Sequence, residues 1–143
     1  MLDAFINMIG PLRRVNTQHI LKRPPPESLD TLSLTFEFAN RVSGVLCGVR
    51  ATPLFWRVHV FGNQSSAEAA GPNELIVRMS GGKVERRTFE PVNALRANLE
   101  AFADAIEGRF EYPISTGQMV DVIAALEAIV ASVGTGKAVE LRT

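Results

Sequence analysis

Apolar residues recur at every second position in several stretches between residues 32 and 61, and at every third or fourth position beyond residue 94. The clearest period of two is Leu32, Leu34, Phe36 and Phe38 alternating with Ser33, Thr35 and Glu37, which predicts a strand with one buried face. Asn40-Arg41 predicts a turn, and Val42–Thr52 returns with Val45, Cys47 and Val49 on one side. Trp56, Val58 and Val60 alternate with Arg57, His59 and Phe61 in a further strand, closed by Gly62-Asn63-Gln64-Ser65. Ala67–Ala70 reads as a short strand or connection. Leu75–Met79, Gly81-Gly82 and Val84–Phe89 read as a hairpin whose glycines supply positive φ. Upstream, Leu2, Phe5, Ile6 and Ile9 predict a short helix stopped by Gly10-Pro11, and Leu12–Ile20 a strand. Arg23-Pro24-Pro25-Pro26-Glu27-Ser28 predicts a rigid loop, because consecutive prolines offer a sheet no amide donors.

Beyond Phe89 the period lengthens. Leu95, Leu99, Phe102 and Ile106 form one stripe of a helix capped by Asn93 and ended by Gly108. Ser115 with Gln118 has the spacing of a capping box. It opens a second helix with the stripe Met119, Val122, Ile123, Leu126, Val130 and Val133, stopped by Gly134 and Gly136. Ala138–Leu141 predicts a last strand. Short loops between strands favour antiparallel pairing. The expected class is α+β: an open, mainly antiparallel sheet with two C-terminal helices packed on one face. The other face is then left for solvent, a partner or a ligand.

Composition narrows the function classes. The 143 residues are 46% hydrophobic and 21% charged, the balance of one ordinary globular domain, residues 1–143. Fifteen Lys+Arg offset fifteen Asp+Glu, so bulk nucleic-acid binding has no electrostatic support. Twelve of the fifteen cations are arginine, which leaves local anion sites open. One cysteine and two histidines argue against a zinc centre. Neither a signal peptide nor an apolar run long enough to span a membrane is evident, so a cytoplasmic protein is expected.

Self-contained catalysis finds no motif: there is no glycine-rich nucleotide fingerprint, P-loop, nucleophile elbow or metal-binding histidine pair. Gly81-Gly82-Lys83 is a hairpin turn. Arg57 and His59 share the strand face opposite Val58, a polar pair suited to a ligand or partner. Arg13-Arg14 and Arg86-Arg87 read as solvated strand faces, and Cys47 as a small buried hydrophobe.

A longer comparison adds to this. Leu99-Glu100-Ala101-Phe102-Ala103-Asp104-Ala105-Ile106-Glu107-Gly108, then Pro113 to Gln118, Leu126 to Ser132 and Thr135 to Leu141 follow one another in a familiar order. With Asp30 to Asn40 and Val60-Phe61-Gly62-Asn63-Gln64, they resemble the C-terminal domain of the glucose–fructose oxidoreductase/inositol dehydrogenase (Gfo/Idh/MocA) family of NAD(P)-dependent oxidoreductases. Ser65-Ser66 departs from the second glycine usual in that family's turn. The resemblance implies a dihydrodipicolinate-reductase-like C-terminal domain without its N-terminal Rossmann domain. NAD or NADP would then belong to the parent enzyme and no cofactor to this piece. Asp3 matches the later acidic position of a His-x-x-Asp arrangement, which places the family's catalytic histidine before Met1, so no catalytic residue is expected here. A helix starting uncapped at the first residue agrees with a cut chain. Asp3, His19 and Arg23 are the candidate substrate contacts, Arg57 and His59 the candidate oligomer face. The expected partners are a missing dinucleotide-binding domain and further copies of the chain, with neither nucleic acid nor membrane. The alternative is a stand-alone, non-catalytic dimerisation or small-ligand-binding module; a third is an unrelated α+β sheet.

Overall fold

The computed structural model describes residues 2–20, 31–49, 52–53 and 55–141. The predicted loop around Pro24–Pro26, with Arg23, lies outside the described residues. The chain divides into two compact units, residues 1–52 with 114–143, and residues 53–113.

Unit 1 contains α1 (Leu2–Ile9), β1 (Leu12–Ile20), β2 (Thr31–Phe38), β3 (Ser43–Val49), a 20-residue helix and a short strand. The helix, Thr116–Thr135, and the strand, Val139–Glu140, follow unit 2 in sequence and are α3 and β8. The strands pair antiparallel in the order β3-β2-β1-β8. Registers Val15↔Phe36 and Thr17↔Leu34 on one side, and Leu34↔Leu46 on the other, place these side chains on one face. There Leu12, Val15, Leu34, Phe36 and Phe38 form the core with Ile6 of α1 and Ala125, Ala128 and Ile129 of α3. Val45, Cys47 and Val49 point the other way and are exposed, so the expected burial of Cys47 is corrected. The reason lies in the alternate positions. Gly44 sits 3.3 Å, measured from an added Cβ, from the Phe36 ring, so two phenylalanines fill the space in front of β3.

The predicted stripe of α3 is also corrected. Met119, Ile123, Leu126 and Val130 are exposed, while Ala125, Ala128, Ile129 and Ser132 face β1. Small residues let the helix approach closely enough for a buried polar junction. Ser132 Oγ accepts from Thr17 N–H and shares a 3.0 Å hydrogen bond with Thr17 Oγ1. It donates to Lys137 C=O at 2.7 Å. Thr17 N–H is thereby satisfied beyond the register pairs that β8 supplies at Arg14 and Val15. The Ser115–Gln118 capping box forms as predicted, and Gly136 ends the helix at φ 64°. By length and a mean hydropathy of 1.5, α3 is apolar enough to cross a membrane, contrary to the expectation that no segment approaches this. Its buried side is nevertheless committed to β1, where Ser132 meets Thr17.

Unit 2 contains β4 (Arg57–Phe61), β5 (Ser65–Ala70), β6 (Glu74–Met79), β7 (Val84–Thr88) and α2 (Ala94–Ile106). The four strands form an antiparallel meander in sequence order. Trp56 lies outside β4 and is exposed, so it does not alternate inward with Val58 as predicted. Asn93 caps α2 by accepting from Arg96 N–H. The helix buries no residue, and Leu95, Leu99, Phe102 and Ile106 are all exposed. The α+β class and antiparallel pairing are as expected. Helical cover on the unit 1 sheet comes from α3, with α1 packed against α3.

Candidate functional site

In unit 2 the registers His59↔Glu68 and Glu68↔Ile76 put His59, Glu68 and Ile76 in one row across the sheet. Arg57 and Arg78 lie diagonally to either side on the same face, where strand neighbours come within reach of long side chains. Glu68 is only 2% exposed. Arg57 Nε meets one carboxylate oxygen at 2.7 Å and Arg78 Nη1 the other at 2.6 Å. The hydrogen bond from Arg78 holds the Glu68 carboxyl below its usual range; burial opposes this, and the charges of Arg57, Arg78 and His59 add to it.

A carboxylate with both oxygens occupied by guanidinium groups is a poor proton acceptor, so Glu68 is not a general base. It is an anchor that holds two arginines in place beside the buried Ile76. Both arginine heads remain partly exposed, and Arg57 also lies over the Phe55 ring at 5.3 Å. His59 stacks on Phe61 at 3.9 Å, and its buried Nε2 makes no hydrogen bond among the described residues. Arg86 pairs with Glu74 at 2.9 Å on the same face. The chemistry on offer is ionic and aromatic recognition rather than bond making.

The predicted face residues Arg57 and His59 thus share one face with Glu68, which pairs with Arg57 and which sequence reasoning missed. Of the substrate candidates, the structure describes Asp3 and His19 on separate elements. Asp3 is exposed in the first turn of α1, and His19 is half-buried near the end of β1, with a buried Nε2 that makes no hydrogen bond among the described residues. Arg23 lies outside the described residues. Among the described residues no group of His, Cys, Asp and Glu is placed to hold a metal.

A nicotinamide dinucleotide needs a strand, a glycine turn and a helix N-terminus open to pyrophosphate. Here one first-turn amide of α2, that of Arg96, is taken by Asn93, one of α3, that of Gln118, is taken by Ser115, and the paired strands are antiparallel.

No protein-family model matches the chain, and no curated relative does. Solved structures match nearly all of it. UDP-N-acetylglucosamine 3-dehydrogenase from Acidithiobacillus ferrooxidans superposes with a TM-score of 0.84 at 19% identity, covering 94% of this chain and 45% of that one. The fold is shared with less than half of that enzyme's chain. Aldose-aldose oxidoreductase from Caulobacter crescentus, complexed with glycerol, matches with a TM-score of 0.80 at 20% identity, over 98% of this chain and 44% of that one. An oxidoreductase from Agrobacterium radiobacter, in complex with NAD+, L-tartaric acid and magnesium, matches with a TM-score of 0.79 at 17% identity, over 97% and 46%. The chain therefore spans less than half the length of the structures it resembles.

Proposed function

We propose that residues 1–143 are the C-terminal, substrate-side and oligomerisation domain of a Gfo/Idh/MocA-type NAD(P)-dependent oxidoreductase acting on a sugar- or polyol-like substrate. The observation that carries this reading is the asymmetric coverage: 94–98% of this chain against 44–46% of oxidoreductases that act on or are bound to small polar molecules. A second observation supports a partner domain. α2 presents Leu95, Leu99, Phe102 and Ile106 outward, and α3 presents Met119, Ile123 and Leu126. Exposed apolar stripes of this kind favour burial against another surface. In the whole enzyme the dinucleotide-binding domain brings NAD or NADP and the catalytic acid/base. This domain contributes Asp3, His19 and Arg23 near the junction, and the face of Arg57 and His59 to self-association. The lone free Cys47 suits a reducing cytoplasm.

The test is an immunoblot of source-cell extract with an antibody to this domain. A band larger by roughly 100 residues or more, the size of an added domain, is expected, with nicotinamide-dependent oxidation of polyols by that longer chain. A band at the size of the 143-residue chain overturns the reading in favour of a stand-alone binding module. Sedimentation of the wild-type chain and of Arg57→Glu tests the face: a mass that falls towards monomer on charge reversal supports it, and an unchanged mass refutes it.

A further inference from the structure

The sheet of unit 1 carries arginines on its outer face that its own residues do not neutralise. β1 is bulged between Leu12 and Arg14, and Arg13 and Arg14 are both exposed, whereas regular alternation would send one inward. Arg13 Nη1 pairs with Glu37 Oε1 at 3.2 Å. Arg14 stands opposite Glu37 on one side and Glu140 on the other, yet forms no ion pair among the described residues. Arg41 forms none either.

Arg41 has a second peculiarity. Its φ is 68°, and among the described residues it is the one non-glycine residue at positive φ. The β2–β3 turn that holds it is firmly tied. Arg41 N–H donates to Phe38 C=O, and Phe38 N–H to Val42 C=O. The Asn40 amide donates to Ile9 C=O at 2.8 Å and accepts from Val42 N–H. Glycine or asparagine fits this position without strain. An arginine there gains no burial, since it is exposed. Strain retained at a residue with a free charged head points to a use for that head.

Arg14 and Arg41 line one open depression of about 610 Å³, together with Asn16, Thr35, Glu37 and Ser43. We propose that this depression binds a small oxyanion, a phosphate or carboxylate group on a small molecule, between the guanidinium groups of Arg14 and Arg41. Two planar forks offer paired N–H donors to such oxygens, and Asn16, Thr35 and Ser43 offer further neutral donors. Glu37 is the carboxylate in the depression, and its pairing to Arg13 offsets its repulsion of the ligand. Glu140 is the other acid near Arg14, across the β1–β8 pair, and it lies outside the lining of the depression. This site lies in unit 1 and stands independently of the parent-enzyme reading.

The experiment is a ¹H–¹⁵N NMR titration of the 143-residue chain with inorganic phosphate at constant ionic strength, with citrate in parallel. Saturable shifts confined to Arg14, Arg41, Thr35 and Ser43 are expected. Arg14→Gln and Arg41→Gly each weaken binding at least tenfold, and Arg96→Gln on α2 leaves it unchanged. Arg41→Gly removes the strain, so its unfolding midpoint holds or rises and lost binding is separable from lost fold. Saturation by citrate but not phosphate assigns the carboxylate form of the same site. No saturation by either anion, shifts shared equally by Arg96, or wild-type affinity in both variants overturns the proposal.

Discussion

The two units organise a four-stranded antiparallel sheet around opposite kinds of chemistry. In unit 1 one sheet face is apolar and closed by α3, with Leu12, Val15, Leu34, Phe36 and Phe38 at its centre. In unit 2 the buried set is small: Val58, Ile76 and the carboxylate of Glu68. Glu68 shares its face with Ile76 and is held by an arginine on each flanking strand. An apolar face closes against its own helix and yields a self-sufficient core. A sheet built around an anchored charge leaves its arginines half-exposed, and its helix α2 has no buried side. Unit 1 is therefore the part expected to hold the chain folded, and unit 2 the part adapted to meet something else.

The sharpest attempt to break this contrast is Phe36→Ala. Phe36 is 3% exposed and contacts the rings of Phe5 and Phe38 at 6.1 and 6.2 Å. Removing it costs about 3–5 kcal/mol in urea denaturation. A loss below about 1 kcal/mol would show that the core of unit 1 is not where its stability resides.

Glu68→Gln addresses the other unit. It strips the charge from an anchor that faces two arginines, and hydrogen exchange of β4, β5 and β6 amides speeds up while β1 and β2 stay protected. Acid does the same without mutation. The folded-state carboxyl of Glu68 is lowered from an ordinary value of 4.5, so its contribution is complete above that value and is lost as pH falls below it. Exchange mapped at pH 3 and pH 7 therefore shows unit 2 opening first in acid. Uniform opening of both sheets would refute the division.

Ser132→Ala gives a smaller effect in unit 1. It leaves Thr17 N–H and Lys137 C=O without their buried partner, costing about 1–3 kcal/mol. The backbone amide of Thr17 should lose exchange protection more than that of Val15, whose register partners Phe36 and Val139 flank it on both sides. Equal loss at both would mean the helix has shifted as a whole.

How much of this was legible in the sequence follows the same contrast. β2 was plain because its large residues alternate with Ser, Thr and Glu, so size and polarity point the same way. The caps Asn93 and Ser115 were plain because a cap is local, three residues reaching back to one. α3 was misread because it is apolar nearly all round, and its true inner side is marked by Ala125, Ala128 and Ser132 rather than by large residues. β3 was misread likewise: Val45, Cys47 and Val49 outweigh Gly44, Leu46 and Gly48 in the pattern, though packing needs the small ones inside. Glu68 was missed because its partners lie about ten residues away on each side. Only the register of three strands unites them. An acid between two strands that each bear an arginine was the available clue.

The smallest expected effect bears on α2. Leu99 lies mid-stripe and is 59% exposed, so Leu99→Gln changes the stability of the 143-residue chain by less than about 0.5 kcal/mol. In a longer parent chain the same substitution should cost several times more, because the stripe is then covered by apolar contacts. The difference between the two costs is the informative quantity, since helix propensity and solvation of the new side chain enter both. Equal small costs would mean that α2 stays exposed in the whole protein and that the partner surface lies elsewhere. A large cost in the short chain alone would mean that the helix packs on its own unit after all. Either result would redraw the contrast between a unit closed by its helix and a unit whose helix awaits a partner.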